Sequence, residues 1–389
     1  MTSDLSLRRA ALRTLLVAKL VGGWGLGWDI RWHLFVGRDS FWIPPHVMTY
    51  ASVTVVALLA FAMLARDTLV ARRGAPSAGA IRVLGLTGTP GVQLLWWGIA
   101  VTIVAAPIDD LWHRLFGIDV TLWSPPHLLG IAGAQINTTA CLVIATECWP
   151  RGNGRRRVTL VIAAAFLLGL FEVVVDPGFV TAFQYGGVFF FTVAVLGGAC
   201  FTFTLVLAAR AIDLRSGPLL VAIVAVLVQY SIIAVSDAGF AVFQPVPVIQ
   251  QAIAEDPTSV IALTHEIGRR TGQPPGRSVA QRVFVAIAAV ALVAVDARRR
   301  PRAASLAFGA AFIAVSSWGF SRAPALRGLL PHGLEIPFGV GLALLMALAG
   351  GAAGVAVASW LSEVSRPGAP SAATEASRTV RASALPAKR

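Results

Sequence analysis

Six residues have the types and spacing to do chemistry together. Asp29, His33 and His46 follow the pattern Asp-x3-His-x12-His, and Asp109, His113 and His127 follow Asp-x3-His-x13-His. The stretches that carry them, WDIRWHLFVGRDSFWIPPH and IDDLWHRLFGIDVTLWSPPH, also share Trp32/Trp112, Gly37/Gly117, Asp39/Asp119, Trp42/Trp123 and a Pro-Pro-His ending. One residue is inserted between the halves of the second copy. The chain has six histidines, and the repeated pattern uses four of them. One carboxylate with two imidazoles is a first-row metal set that admits zinc, copper or iron. An open coordination position would allow oxygen activation or Lewis-acid work, whereas a closed one would mean structure or transport. A single histidine near a helix end, or a tryptophan at a membrane boundary, is ordinary. Two copies with matched spacing point instead to metal binding.

The elements that position these residues are membrane spans. The chain has 389 residues, 56% hydrophobic and 13% charged, with a mean hydropathy of +0.74, and its apolar runs of about 17–25 residues suit a bilayer. The expected fold is all-α: a polytopic integral membrane helical bundle of about ten transmembrane helices with a repeated helix-pair unit near the N-terminus. The expected spans are 11–36, 44–65, 91–116, 125–148, 158–175, 186–209, 217–239, 279–295, 303–320 and 337–361. The first is read as a span, not a cleavable signal peptide. Span 279–295 is short, and Arg282 would have to snorkel to the interface. Residues 1–150 form the metal-binding repeat unit, with copies 24–65 and 104–148, and 151–361 hold six further helices. Segment 244–276 forms one or two interfacial helices, and 362–389 is a disordered tail. Cys141, Cys148 and Cys200 lack zinc or disulfide spacing and read as small buried hydrophobes.

The basic residues orient this arrangement. With both termini cytoplasmic in a bacterial plasma membrane, 23 of the 32 Lys and Arg residues, Lys19 among them, fall on the inner side. The net charge of +13 is then explained by topology and anionic lipid, and no nucleic-acid partner is implied. Both motif copies sit toward the outer face, where one span exits and the next returns. Asp29 and His33 lie four apart on one helix face, as do Asp109 and His113. The paired prolines suit a first helical turn, and Ser124 is expected to cap the second copy's returning helix. Each copy either holds its own metal, or the two meet around a dinuclear centre.

The spacing resembles that of the C subunit of the copper membrane monooxygenases, the particulate methane and ammonia monooxygenases. That subunit carries an Asp-x3-His-x12-His copper site followed by an Asn-x3-His-x13-His copper site. The resemblance implies that Asp29, His33 and His46 hold one copper and that Asp109, His113 and His127 hold its neighbour. This chain differs in having Asp109 where the family has Asn, and in six spans beyond what that subunit has. The resemblance covers residues 24–135 and implies oxidation of a small apolar substrate with partner subunits, a homo-oligomer being the other assembly the sequence leaves open.

Several further residues are candidates around the site. Asp110, Asp39, Asp119, Trp32 and Trp112 are possible supports of the ligands, with helix geometry favouring Asp109 over Asp110 as the ligand itself. Glu172, Asp176 and Asp237 would carry protons or satisfy polar neighbours in the outer halves of their spans, and Glu147 at an inner end is expected to be solvated. His265 with Glu266 would form a surface pair or close over the site, and His332 falls on the same side. Gly22, Gly23, Gly27, Gly130 and Ala134 allow close helix approach. Two function classes follow: an oxidative metalloenzyme, or a membrane metal-binding or metal-transport protein. A bis-histidine haem protein is weaker because it leaves both aspartates unexplained.

Overall fold

The computed structural model describes residues 2–37, 40–116, 123–175, 190–271, 279–322 and 330–364. The tail from 365 onward, Asp39, Asp119 and Asp176 lie outside the described residues. Among the described residues, ten long helices run back and forth: α1 (Thr2–Phe35), α2 (Pro44–Arg72), α3 (Pro90–Phe116), α4 (Pro125–Cys148), α5 (Gly154–Val174), α6 (Thr192–Ile212), α7 (Gly217–Phe243), and then, after two short helices α8 (Ile249–Glu255) and α9 (Val260–Thr271), α10 (Ala280–Val295), α11 (Pro301–Arg322) and α12 (Glu335–Val364). Eight are long and apolar enough to cross a membrane. The other two differ for opposite reasons. Helix α1 is long enough, but Arg8, Arg9, Arg13, Lys19, Asp29 and Arg31 lower its apolarity. Helix α10 is apolar, but its 16 residues span only about 24 Å.

Each turn of the chain alternates between two ends of the bundle. One end carries the motif copies. At the other, the starts of α1 and α3 meet the ends of α2 and α4 in a polar knot. Arg8, 6% exposed, donates to both carboxylate oxygens of Asp67 at 2.7 Å and to Thr89 Oγ1 at 3.2 Å. Thr89 Oγ1 donates in turn to Glu147 Oε2 at 2.8 Å, and the Gly91 amide donates to Glu147 Oε1 at 2.8 Å. Glu147 is therefore bound to α3, not solvated as its position at a helix end suggested. A single residue beyond α4, Trp149 lies under the Arg9 guanidinium, which also donates to the Cys148 carbonyl.

A small antiparallel hairpin, β1 (Ile81–Val83) with β2 (Leu86–Gly88), departs from the all-helical expectation. Its two turn residues, Leu84 and Gly85, both have positive φ (47° and 82°), as a two-residue hairpin turn of the primed type requires. No Asn-Gly or Asp-Gly pair announced it. Thr68 fixes the hairpin to α2, its hydroxyl bonding both the amide and the carbonyl of Thr87 at 3.0 Å.

The two motif-bearing helix pairs pack by the same positions with the roles exchanged. In α1–α2, a Cβ on Gly22 would lie 2.5 Å from Ser52 Oγ, and one on Gly25 would lie 2.6 Å from Thr49 Oγ1. In α3–α4 the corresponding residues are Thr102 against Gly133 and Ala105 against Gly130, and a Cβ on Gly133 would lie 2.5 Å from Thr102 Oγ1. The small residue thus sits on the first helix of one pair and on the second helix of the other. Gly27 receives Ile232 of α7, whereas Gly23 has open space beside it and serves no contact. Lys19 lies along α1 away from either end, its ammonium donating to Asn137 and, at 3.0 Å, to Thr138 of α4. It belongs to the helix interface and not to the basic residues at the helix ends.

Candidate metal centre

Helix α1 ends in the left-handed residue Gly37 (φ 78°), after the Val36 amide closes the last turn on the Trp32 carbonyl at 2.7 Å. This is the helix-stop role that glycine fills without a steric penalty, and it accounts for the glycine in the motif. The chain turns back and starts α2 at Pro44 and Pro45, with Ile43 extended before them (φ −64°, ψ 148°). His46 follows directly, in the first turn. Asp29 and His33 project from one face at the end of α1 toward it.

The outcome is a three-residue cluster. Asp29 Oδ1 lies 3.6 Å from His33 Nε2 and 3.1 Å from His46 Nε2, and one ligand atom from each residue lies within 4.8 Å of the others. Asp29 Oδ1 is buried yet accepts no aligned hydrogen bond. Ligand atoms held at about 2.0–2.2 Å around one tetrahedral ion stand about 3.3 Å apart, so these separations suit a single first-row ion. One carboxylate oxygen and two imidazole nitrogens so placed could hold one metal ion.

In the second copy, Asp109 Oδ1 lies 3.4 Å from His127 Nε2. His113 follows Asp109 by one helical turn on α3, and its side chain lies outside the described residues. Ser124 occupies the N-cap position of α4 with extended backbone (φ −83°, ψ 151°), but its hydroxyl makes no capping bond. The next two residues are prolines, so the usual N2 amide donor is missing. Trp123 donates instead to the Val174 carbonyl of α5 at 3.0 Å.

The supporting residues separate into those near the ligands and those turned away. Trp32 is stacked on Phe240 of α7 at 5.9 Å, inside an aromatic cluster with Trp28. Trp112 leans on Phe116 at 4.4 Å. Asp110 pairs with Arg114 at 2.8 Å on an exposed helix face, with 64% of its side chain accessible. Asp237 and Glu172 pair with arginines: Nη2 of the buried Arg31 lies 2.7 Å from Asp237 Oδ1, and Nε of the partly buried Arg282 lies 3.0 Å from Glu172 Oε2. Arg282 thus folds inward onto α5 and does not snorkel. His265 bonds the Leu34 carbonyl at the end of α1 at 2.7 Å, while Glu266 pairs with Arg269 and Arg270. His332 is at the start of α12, its amide bonded to Glu335 at 2.8 Å.

Two residues near the site were not singled out by sequence reasoning. Tyr50 lies one turn after His46, its ring 5.7 Å from the imidazole and 4.9 Å from Phe41. The i,i+4 spacing alone could have flagged it. Arg31, between the two ligands of α1, is 4% exposed and faces α7. Its partner is 206 residues away, beyond the reach of any local pattern.

Comparison with protein-family models, with curated proteins and with solved structures found no match to this chain.

Proposed function

We propose that the motif end is an oxidative metal centre in a membrane protein similar to the copper membrane monooxygenases, acting near the outer face on a small apolar substrate. The observation that carries this reading is the convergence of Asp29 Oδ1, His33 Nε2 and His46 Nε2 within 4.8 Å. Asp29, His33 and His46 would hold one ion, and Asp109, His113 and His127 a second. Copper in such a set supplies oxygen activation. The chain's own residues supply the rest. Asp29 offsets the ion's charge, and the apolar helix faces beside the site admit a substrate that partitions from lipid while limiting water. Tyr50 and Phe41 stand on the His46 side and orient that imidazole by packing.

The alternative of metal transport calls for ligands continuing along the bundle. Among the described residues, no second group of three metal-ligating side chains lies within ligand distance, and the polar group that does lie between α1 and α4 is Lys19 with Asn137 and Thr138. A lysine amine with an amide and a hydroxyl makes a poor path for a metal ion, which supports the enzyme reading. Elemental analysis of detergent-purified protein beside His33→Ala and His113→Ala tests it. About two copper ions per chain, reduced in both variants, is the expected result. Iron or zinc instead removes copper from the reading, and absence of any metal removes the centre.

A further inference from the structure

The helices that carry the two copies are held differently. On α1, the residues Trp24, Trp28, Arg31 and Phe35 recur at helical spacing along one face, and α7 covers that face. Trp24 Nε1 donates to Ser231 Oγ at 2.9 Å, Trp28 packs against Phe240 at 6.1 Å, and Phe35 packs against the same ring at 5.9 Å. Arg31 pairs with Asp237 at 2.7 Å, bonds Ser236 and the Ile233 carbonyl, and places its guanidinium 5.4 Å from the Phe240 ring. The end of α1 is tied down again by His265 at Leu34 and by the Val248 amide, which donates to the Val36 carbonyl at 2.8 Å.

The corresponding positions on α3 are Val104, Ile108, Leu111 and Leu115. All four are exposed, by 53%, 39%, 54% and 65%. Helix α3 also contains Pro107, two residues before Asp109. A proline inside a helix removes one backbone hydrogen bond and loosens or bends the ladder there. Asp109 thus follows an interior proline in a helix whose outward face, among the described residues, has no covering helix, while Asp29 lies on a helix clamped along its back.

We infer that the two copies bind a divalent first-row cation with unequal strength, tightly at Asp29/His33/His46 and weakly at Asp109/His113/His127, and that the Arg31–Asp237 pair is a positioning device for the tight site. The inference rests on the metal-centre reading above. Its physical basis is preorganisation: a site needs its ligands held within a fraction of an ångström, and ordering a loose set on binding subtracts from affinity. Because Asp237 neutralises Arg31, the guanidinium anchors the helix without repelling a cation at Asp29.

The test is a Cu(II) titration of the full chain in detergent against a competing chelator, read by electron paramagnetic resonance. The first site is measured alone in His127→Ala and the second alone in His33→Ala/His46→Ala. The first is expected to bind at least about tenfold more tightly. Replacing the pair together, Arg31→Leu/Asp237→Leu, avoids stranding one buried charge and copies the leucine of the second copy. In the His127→Ala background it should weaken the first site about tenfold and alter its spectrum. The same pair of changes in the His33→Ala/His46→Ala background should leave the second site's affinity unchanged. Asp237→Asn, which keeps a hydrogen-bonding side chain, should fall between wild type and the double replacement. Equal affinities, a tighter second site, or equal weakening of both sites would overturn the inference while leaving the metal reading intact. No cation at either site would overturn the metal reading itself.

Discussion

The two ends of the helical bundle use their polar residues in opposite ways. At the end away from the motifs, Arg8, Asp67, Thr89 and Glu147 form a set in which each group answers another, and it joins α1, α2 and α4 to the start of α3. At the motif end, Asp29, His33 and His46 converge on one point, and Asp29 Oδ1 accepts no aligned hydrogen bond. Arg8 and Asp67 are buried, where an unpaired charge is costly, whereas Asp29, His33 and His46 are only partly buried, and the ends differ in what each set faces. One end is completed by the chain itself. The other gathers three side chains that could hold a metal ion.

The contrast is broken most severely by Asp67→Ala. It would leave the Arg8 guanidinium buried without its carboxylate and should cost about 3–5 kcal/mol of stability, measured by reversible unfolding in detergent. Asp29→Ala, by comparison, should cost less than about 1 kcal/mol in metal-free protein. If the two variants lose equal stability, the distinction between the ends fails. A smaller effect is expected from Asn153→Ala. Asn153 caps α5 by accepting from the Arg155 amide at 2.9 Å and the Arg156 amide at 3.3 Å, so its loss should cost about 1 kcal/mol by the same measurement without altering metal content.

The smallest effect lies in the α10–α11 connection. There the Arg298 side chain, bonded to both oxygens of Asp296 at 3.0 and 3.1 Å, holds that carboxylate below its ordinary pKa of 3.8. A depressed carboxylate contributes stability above its unfolded pKa and loses it as pH falls through the folded value. Arg298→Ala should therefore raise the Asp296 pKa toward 3.8 in a carboxyl-carbon NMR titration and reduce this acid-side dependence. An unchanged titration would mean that the hydrogen bonds, although formed, do not set the charge state.

Much of the motif end was legible in the sequence because its determinants are local. The four-residue spacing of Asp29 and His33, the glycine that stops α1 and the proline pair that starts α2 each act within a turn or two of the chain. Helical periodicity and apolar length likewise give most of the bundle. What escaped notice depends on partners far along the chain. Arg31 reads as one more charge in a helix until Asp237 is beside it, and Glu147 reads as solvent-facing until α3 supplies Thr89 and the Gly91 amide. Ser124 misled in a different way: its residue type suits a cap and it stands at the N-cap position, but the prolines after it remove the N2 amide and its hydroxyl makes no capping bond. The hairpin was missed because Leu84 takes a backbone conformation that its side chain disfavours.

The exchanged small residues of the two helix pairs determine how the chain can be recombined. Moving α2 alone into the place of α4 would set Ser52 against Thr102, filling a space now left by Gly133, and moving α4 into the place of α2 would set Gly133 against Gly22 and leave a gap. Only a whole pair, moved with its own turn, keeps its seam, although the back of α1 is fitted to α7 and that of α3 is exposed. The repeat is modular at the level of the hairpin of helices, and a chimera that respects this boundary keeps a close-packed seam.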